Sequence, residues 1–227
     1  MTRIAVISAG MGNPSATRLL ADRLADTVVA QLAVAGAAAN AGDDDESEST
    51  AVDVIELREL AHPLADNLLT GFPSGPLAAA FDTVEAADAL IVVTPVFAAS
   101  YSGLFKMFFD VLEPELLRGK PVLLAATAGT ARHSLVLEHA LRPLFAYLGV
   151  VTAPTAVFAA AEDWGGSSGL GAALNERIDR AATDLIGLLT PSASRRATPS
   201  SAQQRWGAAV GFDRPVEFAE LLRRASA

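Results

Sequence analysis

The sequence predicts an α/β fold, a five-stranded parallel sheet with helices on both faces, and three observations carry that expectation. Between residues 2 and 190, short β-branched runs alternate with longer amphipathic stretches, the order that successive βαβ units produce. The strand candidates are apolar almost without a break instead of alternating, as strands covered on both faces are. Finally, 227 residues, 51% of them apolar and 19% charged, with a mean hydropathy of +0.34, suffice for one large core and exclude a mainly disordered chain.

The first strand is residues 3–8 (RIAVIS), followed by a helix over 15–35 in which Leu20, Leu24, Val28 and Leu32 recur every fourth position. Residues 36–51 hold Asp43, Asp44, Asp45, Glu46 and Glu48 among Gly and Ser and form an excursion before the second strand, 52–57 (VDVIEL). A helix over 75–87 leads to the third strand, 89–94 (ALIVVT), and a helix over 102–112 follows. The fourth strand is 121–127 (PVLLAAT), with a helix over 134–148; the fifth is 150–158, with a helix over 171–189. These elements make one domain, 1–190. The composition then turns to Pro and Ser, giving a linker over 191–214, and 215–227, a short C-terminal helix or a tail, carries Val216, Ala219 and Leu222 on one helical stripe. No fixed-period repeat is present, which excludes solenoids and propellers.

Composition narrows the function classes. The chain has no cysteine, so thiol nucleophiles, disulfides and Cys-ligated metals are excluded and any redox chemistry needs a cofactor. The net charge is −9, and the acidic excursion accounts for five of those charges, leaving −4 over the rest. That sign disfavours nucleic acid and anionic membranes as partners. No apolar stretch reaches the roughly 20 residues of a membrane span, and residues 1–9 run straight into the first strand without a secretory apolar region, so a cytoplasmic location is expected. The three histidines, His62, His133 and His139, lack the spacing of a zinc helix, and no metal is expected. Gly165-Gly166-Ser167-Ser168-Gly169 spells a hydrolase nucleophile elbow, but Ala159 to Trp164 separate it from the strand that such an elbow needs.

Three loops leave the carboxyl ends of strands one, three and four, the edge where open parallel sheets bind ligands. The first reads Ser8-Ala9-Gly10-Met11-Gly12-Asn13-Pro14-Ser15-Ala16-Thr17-Arg18. A helix start offers unpaired N–H groups and partial positive charge, and Ser15 and Thr17 add hydroxyl donors for a phosphate; equally, Ser15 or Asn13 suits an ordinary helix cap with Pro14 in the first turn. There is no Gly-Lys-Ser/Thr, which excludes a Walker loop. Ser15 replaces the third glycine of a dinucleotide fingerprint, which favours a mononucleotide. In the second loop Pro95 and Phe97 offer apolar wall, although Phe97 equally suits the core, and Ala98 and Ala99 let backbone approach a flat ring. In the third, Ala128 and Gly129 do the same, Gly129 through close approach or a positive φ. Thr130-Ala131 also suits a plain turn into a helix.

These motifs, Ser8-x-Gly10 with Pro14-Ser15-x-Thr17-Arg18, Thr94-Pro95-Val96-Phe97-x-x-Ser100-Tyr101-Ser102-Gly103-Leu104-x-Lys106, and Thr127-Ala128-Gly129-Thr130-x-Arg132-His133-Ser134, resemble the flavodoxin-like NAD(P)H-dependent FMN reductases. The likeness covers residues 2–189 and is greatest to an actinobacterial branch associated with luciferase-like monooxygenases. It implies a three-layer sandwich of strand order 2-1-3-4-5. It also implies an FMN phosphate held by Ser15, Ala16 and Thr17 with Ser8 and Met11 beside it, a ring system lined by Pro95, Val96, Phe97 and Ala98, and a pyrimidine side met by Thr127, Ala128 and Gly129. NADH or NADPH would give hydride to flavin N5, and the reduced FMN would pass to a partner monooxygenase. No side-chain acid, base or nucleophile is implied. Arg132 and His133 either meet a phosphate of the nicotinamide nucleotide or are surface charge. The chain departs from the wider family in having Gly10-Met11-Gly12-Asn13 for Gly-Ser-x-Arg and Val96-Phe97-Ala98 for Glu-Tyr-Asn.

The rival readings are a flavodoxin-type electron carrier, which would shield both flavin faces with aromatics where these loops supply only Phe97 and Tyr101, and a quinone or azo reductase on the same scaffold. The helix over 102–112 is apolar nearly all round. Phe105, Phe108 and Phe109 are expected to spread over more than half a turn, so some must meet a second surface, most simply a second subunit in a homodimer or tetramer, with the C-terminal helix over 215–224 as the competing cover.

Overall fold

β1 (Thr2–Ser8) lies at the centre of a parallel sheet because both of its faces are apolar: Ile4 and Val6 point to one side, Ala5 and Ile7 to the other, and all four are buried. The computed structural model describes residues 1–39, 49–164 and 171–189. Within them α1 (Ala16–Ala39), β2 (Thr50–Glu56), α2 (Ala61–Thr70), α3 (Gly75–Ala86), β3 (Ala89–Phe97), β4 (Ser100–Tyr101), α4 (Gly103–Val111), β5 (Pro121–Ala128), α5 (Arg142–Tyr147), β6 (Val151–Thr152), β7 (Val157–Ala160) and α6 (Ala172–Leu189) follow in order. β1 pairs in parallel with β2 (Ile4 opposite Val52) and with β3 (Ile4 opposite Ala89), and β3 pairs in parallel with β5 (Leu90 opposite Val122). With the hairpin strand β4 set aside, the order β2-β1-β3-β5 and then β6 or β7 is the flavodoxin-like 2-1-3-4-5.

Helices cover both faces. Leu20, Leu24 and Val28 of α1 and Ile178 and Leu185 of α6 pack on Ile4, Val6, Ile91 and Leu123, while Leu64, Leu77, Phe105, Phe108 and Phe145 from α2 to α5 pack on Ile7, Leu90, Val92 and Leu124. None of the described helices is long and apolar enough to cross a membrane. The acidic excursion beyond Ala39, the Gly165 to Gly169 pattern, the linker and the C-terminal helix fall on residues outside those described.

Four features differ from the sequence expectation. α2 was absent from it because Pro63 interrupts a short pattern, yet Pro63 falls in the first turn, where its missing N–H costs nothing. The fifth strand is two short pieces, β6 and β7, separated around Pro154, and both pair with β5. The helix over 134–148 begins as a π-helical turn, Leu137–Leu141, in which the Arg142 N–H reaches the Leu137 carbonyl; Pro143, lacking an N–H and crowding the carbonyl four residues back, disfavours ordinary helix there. Last, Phe105, Phe108 and Phe109 are all buried within this one chain. Residues three and four apart differ by only about −60° and +40° around a helix, so the three rings share a stripe. Phe145 of α5 sits 4.9 Å from Phe109, and Phe81 of α3 sits 5.8 Å from Phe108. The inference of a subunit contact from these rings is therefore withdrawn.

Candidate functional site

Buried polar side chains are costly unless hydrogen-bonded, so their location is informative. Six polar residues are buried among those described, and five of them, Ser8, Thr17, Thr94, Ser102 and Thr127, stand where β1, β3 and β5 end or α1 and α4 begin. Each of the five takes part in at least one hydrogen bond. The Ser8 hydroxyl accepts from the Gly10 N–H at 3.5 Å. Thr17 Oγ1 and Thr127 Oγ1 are 2.8 Å apart. Thr94 Oγ1 accepts from the Ser102 N–H at 3.0 Å and donates to the Pro95 carbonyl at 2.9 Å, and Ser102 Oγ caps α4 by accepting from the Phe105 N–H at 3.2 Å.

The loop after β1 is drawn tight. The Ala9 N–H donates to the Val93 carbonyl at 2.9 Å, and a Cβ on Gly10 would come within 2.1 Å of Ser15 Oγ, so glycine lets the turn pass the start of α1 without displacing the Ser15 side chain. The Asn13–Pro14 peptide is cis. Of the two capping alternatives the structure has Ser15: its Oγ accepts from the Arg18 N–H at 3.2 Å, and α1 begins at Ala16 with Pro14 outside it. As an acceptor in that bond, Ser15 still has its own O–H hydrogen to donate. Among the described residues the N–H groups of Ala16 and Thr17 have no backbone acceptor, as the first turn of a helix requires. Ser15 is half-buried, Met11 and Ala16 are exposed, and Ser8 lies wholly beneath the loop.

Two arginines brace this loop from the side. Arg58, just beyond β2, donates to the Gly12 carbonyl at 3.3 Å and pairs with Glu56 at 2.9 Å; Glu56 also pairs with Arg18, which pairs with Asp22 at 2.7 Å. The hydrogen bond that Arg18 Nε donates to Asp22 is the main cause holding the Arg18 guanidinium above its ordinary pKa. Sequence reasoning missed Arg58, although strand order alone places the end of β2 beside the loop that leaves β1.

The second loop is a two-residue hairpin turn between β3 and β4, with Val96 opposite Tyr101 and Phe97 opposite Ser100. Both central residues are left-handed, Ala98 at φ 47° and Ala99 at φ 66°, the type I′ geometry that matches strand twist. Each such alanine costs about 1–2 kcal/mol. Pro95 and Val96 are half-buried, whereas Phe97 is 51% exposed. Tyr101 turns inward, its ring 5.9 Å from that of Phe105, so Phe97 is the one loop ring left on the open side.

In the third loop Thr127 is buried, Ala128 half-buried and Gly129 exposed. The φ of Gly129 is not positive, which removes that reason for a glycine. A Cβ there would meet nothing within 4 Å, so the space above it is open. Thr130 Oγ1 accepts from the Arg132 N–H at 3.4 Å at the start of a short 3₁₀ turn, Ala131–His133, and the Arg132 and His133 side chains are exposed. A separate groove lined by Arg23, Asp26, Gln31, Val34 and Asp179 lies on the α1 and α6 face, away from the strand ends.

Unpartnered N–H groups and a free hydroxyl proton at one end, and open space beside a side-chain-free backbone at the other, fit a phosphomonoester carrying a flat ring. The chain is also similar to known proteins over most of its length. A relative from Pseudomonas aeruginosa named FMN reductase (NADPH) is 38% identical over 164 residues, covering 71% of this chain and 78% of that one. One from Pseudomonas putida, named NADH-dependent FMN reductase, is 35% identical over 178 residues, covering 78% and 88%. The X-ray structure of an oxidoreductase from Corynebacterium diphtheriae is 46% identical with a TM-score of 0.75, covering 83% of this chain and 97% of that chain. With the profile of the NADPH-dependent FMN reductases matching residues 2–165, the chain belongs to that family.

Proposed function

We propose that this protein is an NAD(P)H:FMN oxidoreductase that supplies reduced FMN to a flavin-dependent monooxygenase, as in the actinobacterial branch associated with luciferase-like monooxygenases. One observation carries the reading: the buried hydroxyls and the capped helix start converge at the carboxyl edge of the sheet, beside loops that leave Phe97 as their one outward ring. FMN, when bound, supplies the hydride acceptor at N5. The chain's own residues do the rest. Ser15 and the N–H groups of Ala16 and Thr17 hold the phosphate, with Met11 beside it. Pro95, Val96, Phe97 and Ala98 line the ring, and Ala128 and Gly129 bring backbone to its pyrimidine side. Ser8 serves beneath the loop by fixing Gly10. A face guarded by one aromatic favours a stacked nicotinamide over the doubly shielded ring of an electron carrier. Arg132 and His133, exposed at the mouth, meet a phosphate of the nicotinamide nucleotide. The cytoplasm is the compartment this reaction needs, since it holds the reduced nicotinamides. A homodimer or tetramer is part of the reading, supported now by the exposed Leu69, Phe72 and Phe97 and no longer by α4.

Steady-state oxidation of NADH and NADPH, with FMN, FAD, riboflavin and a quinone as separate acceptors, tests the proposal. Turnover fastest with FMN is expected. Flavin binding without oxidation of either nucleotide would establish the carrier instead, and preference for the quinone would establish the quinone reductase.

A further inference from the structure

Two hydroxyls 110 positions apart in the chain meet at 2.8 Å, Thr17 Oγ1 in the first turn of α1 and Thr127 Oγ1 at the end of β5. Both residues are buried, 4% and 5% exposed. One hydrogen lies between two hydroxyl oxygens, so the pair owns a second O–H hydrogen that must be given to a third atom. Among the described residues neither hydroxyl has another hydrogen-bond partner. Sequence reasoning divided the pair, giving Thr17 to the phosphate and Thr127 to the pyrimidine edge of the ring. The bond puts them in one unit.

The second hydrogen can leave from either end. If Thr17 donates to Thr127, the free hydrogen points from β5 toward the ring. If Thr127 donates to Thr17, it points from the first turn of α1, beside the unpartnered N–H groups of Ala16 and Thr17 and the spare hydroxyl hydrogen of Ser15. The second arrangement gathers every free donor around a single anion, and a charged acceptor makes the stronger hydrogen bond.

We infer that Thr127 is a positioning residue for the phosphate: its O–H donates to Thr17 Oγ1 and so aims the Thr17 hydroxyl at the terminal phosphate of FMN. This deepens the flavin reading and rests on it. Thr127 would then distinguish FMN from riboflavin, which has no phosphate, although it stands on the strand assigned to the ring.

The test is equilibrium binding of FMN and of riboflavin to the full chain, followed by quenching of flavin fluorescence, with thermal melting as the control for folding. Thr127→Val should weaken FMN binding about tenfold or more while leaving riboflavin within about twofold. Thr127→Ser, which keeps the hydroxyl, should restore FMN binding. The double variant Thr17→Val, Thr127→Val should be no weaker than Thr17→Val alone, because both act through one bond. If Thr127→Val melts early, Thr127→Ala is read in the same way. Equal losses for both flavins, or none for either, would overturn the inference. A native protein that binds neither flavin would overturn the flavin reading itself, a distinguishable result.

Discussion

Replacing Gly10 by alanine tests the phosphate cradle at the point where the chain has least room. The new Cβ would lie 2.1 Å from Ser15 Oγ and 3.2 Å from both Ser15 Cβ and Thr17 Cβ. Thr17 is tied to Thr127, so the Ser15 side chain is the part that moves, and it loses its bond from the Arg18 N–H. Loss of that cap costs about 1 kcal/mol of stability, and a chain of this size should melt about 2–4 °C lower for it. The same rotation takes the Ser15 hydroxyl away from the phosphate; a charge-assisted bond is worth about 1.5–3 kcal/mol, which is about a 10- to 150-fold weaker FMN complex. Riboflavin, without the phosphate, should bind nearly as before. Fluorescence titration with both flavins and a melting curve measure all three quantities. Unchanged FMN affinity in a variant that melts lower would refute the cradle, since Ser15 would then serve the helix alone.

Three shorter predictions follow from the other loops and the core. Gly129→Val should abolish FMN and riboflavin binding together while the melting temperature holds, because the added side chain enters open space; a collapse of stability would mean that Gly129 serves the fold. Ala98→Asn with Ala99→Gly should raise stability by about 1 kcal/mol by placing left-handed-tolerant residues in the hairpin turn, and a lower melting temperature would contradict the backbone reading. Phe108→Ala should cost about 3–5 kcal/mol, since the ring is fully buried against Phe81 and Phe109; dissociation of an oligomer into monomers of undiminished stability would instead restore the subunit-contact reading.

What the sequence made legible was whatever rests on burial. β1, β3 and β5 are apolar on both faces, and their runs announced them to within a few residues. α1 and α6 have long four-residue periodicity and were equally plain. Short elements governed by a proline were not: Pro63 hid α2, Pro143 hid the π-helical turn, and Pro154 hid the split between β6 and β7. The hairpin turn escaped because Ala98-Ala99 lacks the Asn-Gly chemistry that marks such turns, its left-handed residues being held by the pairing of β3 with β4. At the site, the motifs located the three loops, and Ser15 in its capping role was among the alternatives. Arg58 and the Thr17–Thr127 bond belong to contacts between elements far apart in the chain, for which no local spacing gives a signal.

Those long-range bonds divide the site into two kinds of residue. Ala9 to Val93, Thr94 to Ser102 and Thr17 to Thr127 join the three loops into one hydrogen-bonded belt across the ends of β1, β3 and β5. Outside the belt stand Met11, Phe97, Arg132 and His133, all exposed. On the proposed reading, a belt ordered in advance lowers the entropic cost of holding a flavin, and Arg132 and His133, exposed beyond it, suit a nucleotide that must come and go in every turnover. The two kinds of residue should therefore separate in kinetics. Arg132→Ala should leave FMN affinity and kcat unchanged while raising KM for NADH or NADPH about two- to fivefold, the value of one exposed charge against a phosphate, and should flatten the rise of that KM with salt. Stopped-flow reduction of the flavin-loaded protein at two ionic strengths measures this directly. Unaltered KM for both nucleotides would leave Arg132 as surface charge, and a loss of FMN affinity equal to the rise in KM would show that the belt extends to the third loop's outer turn.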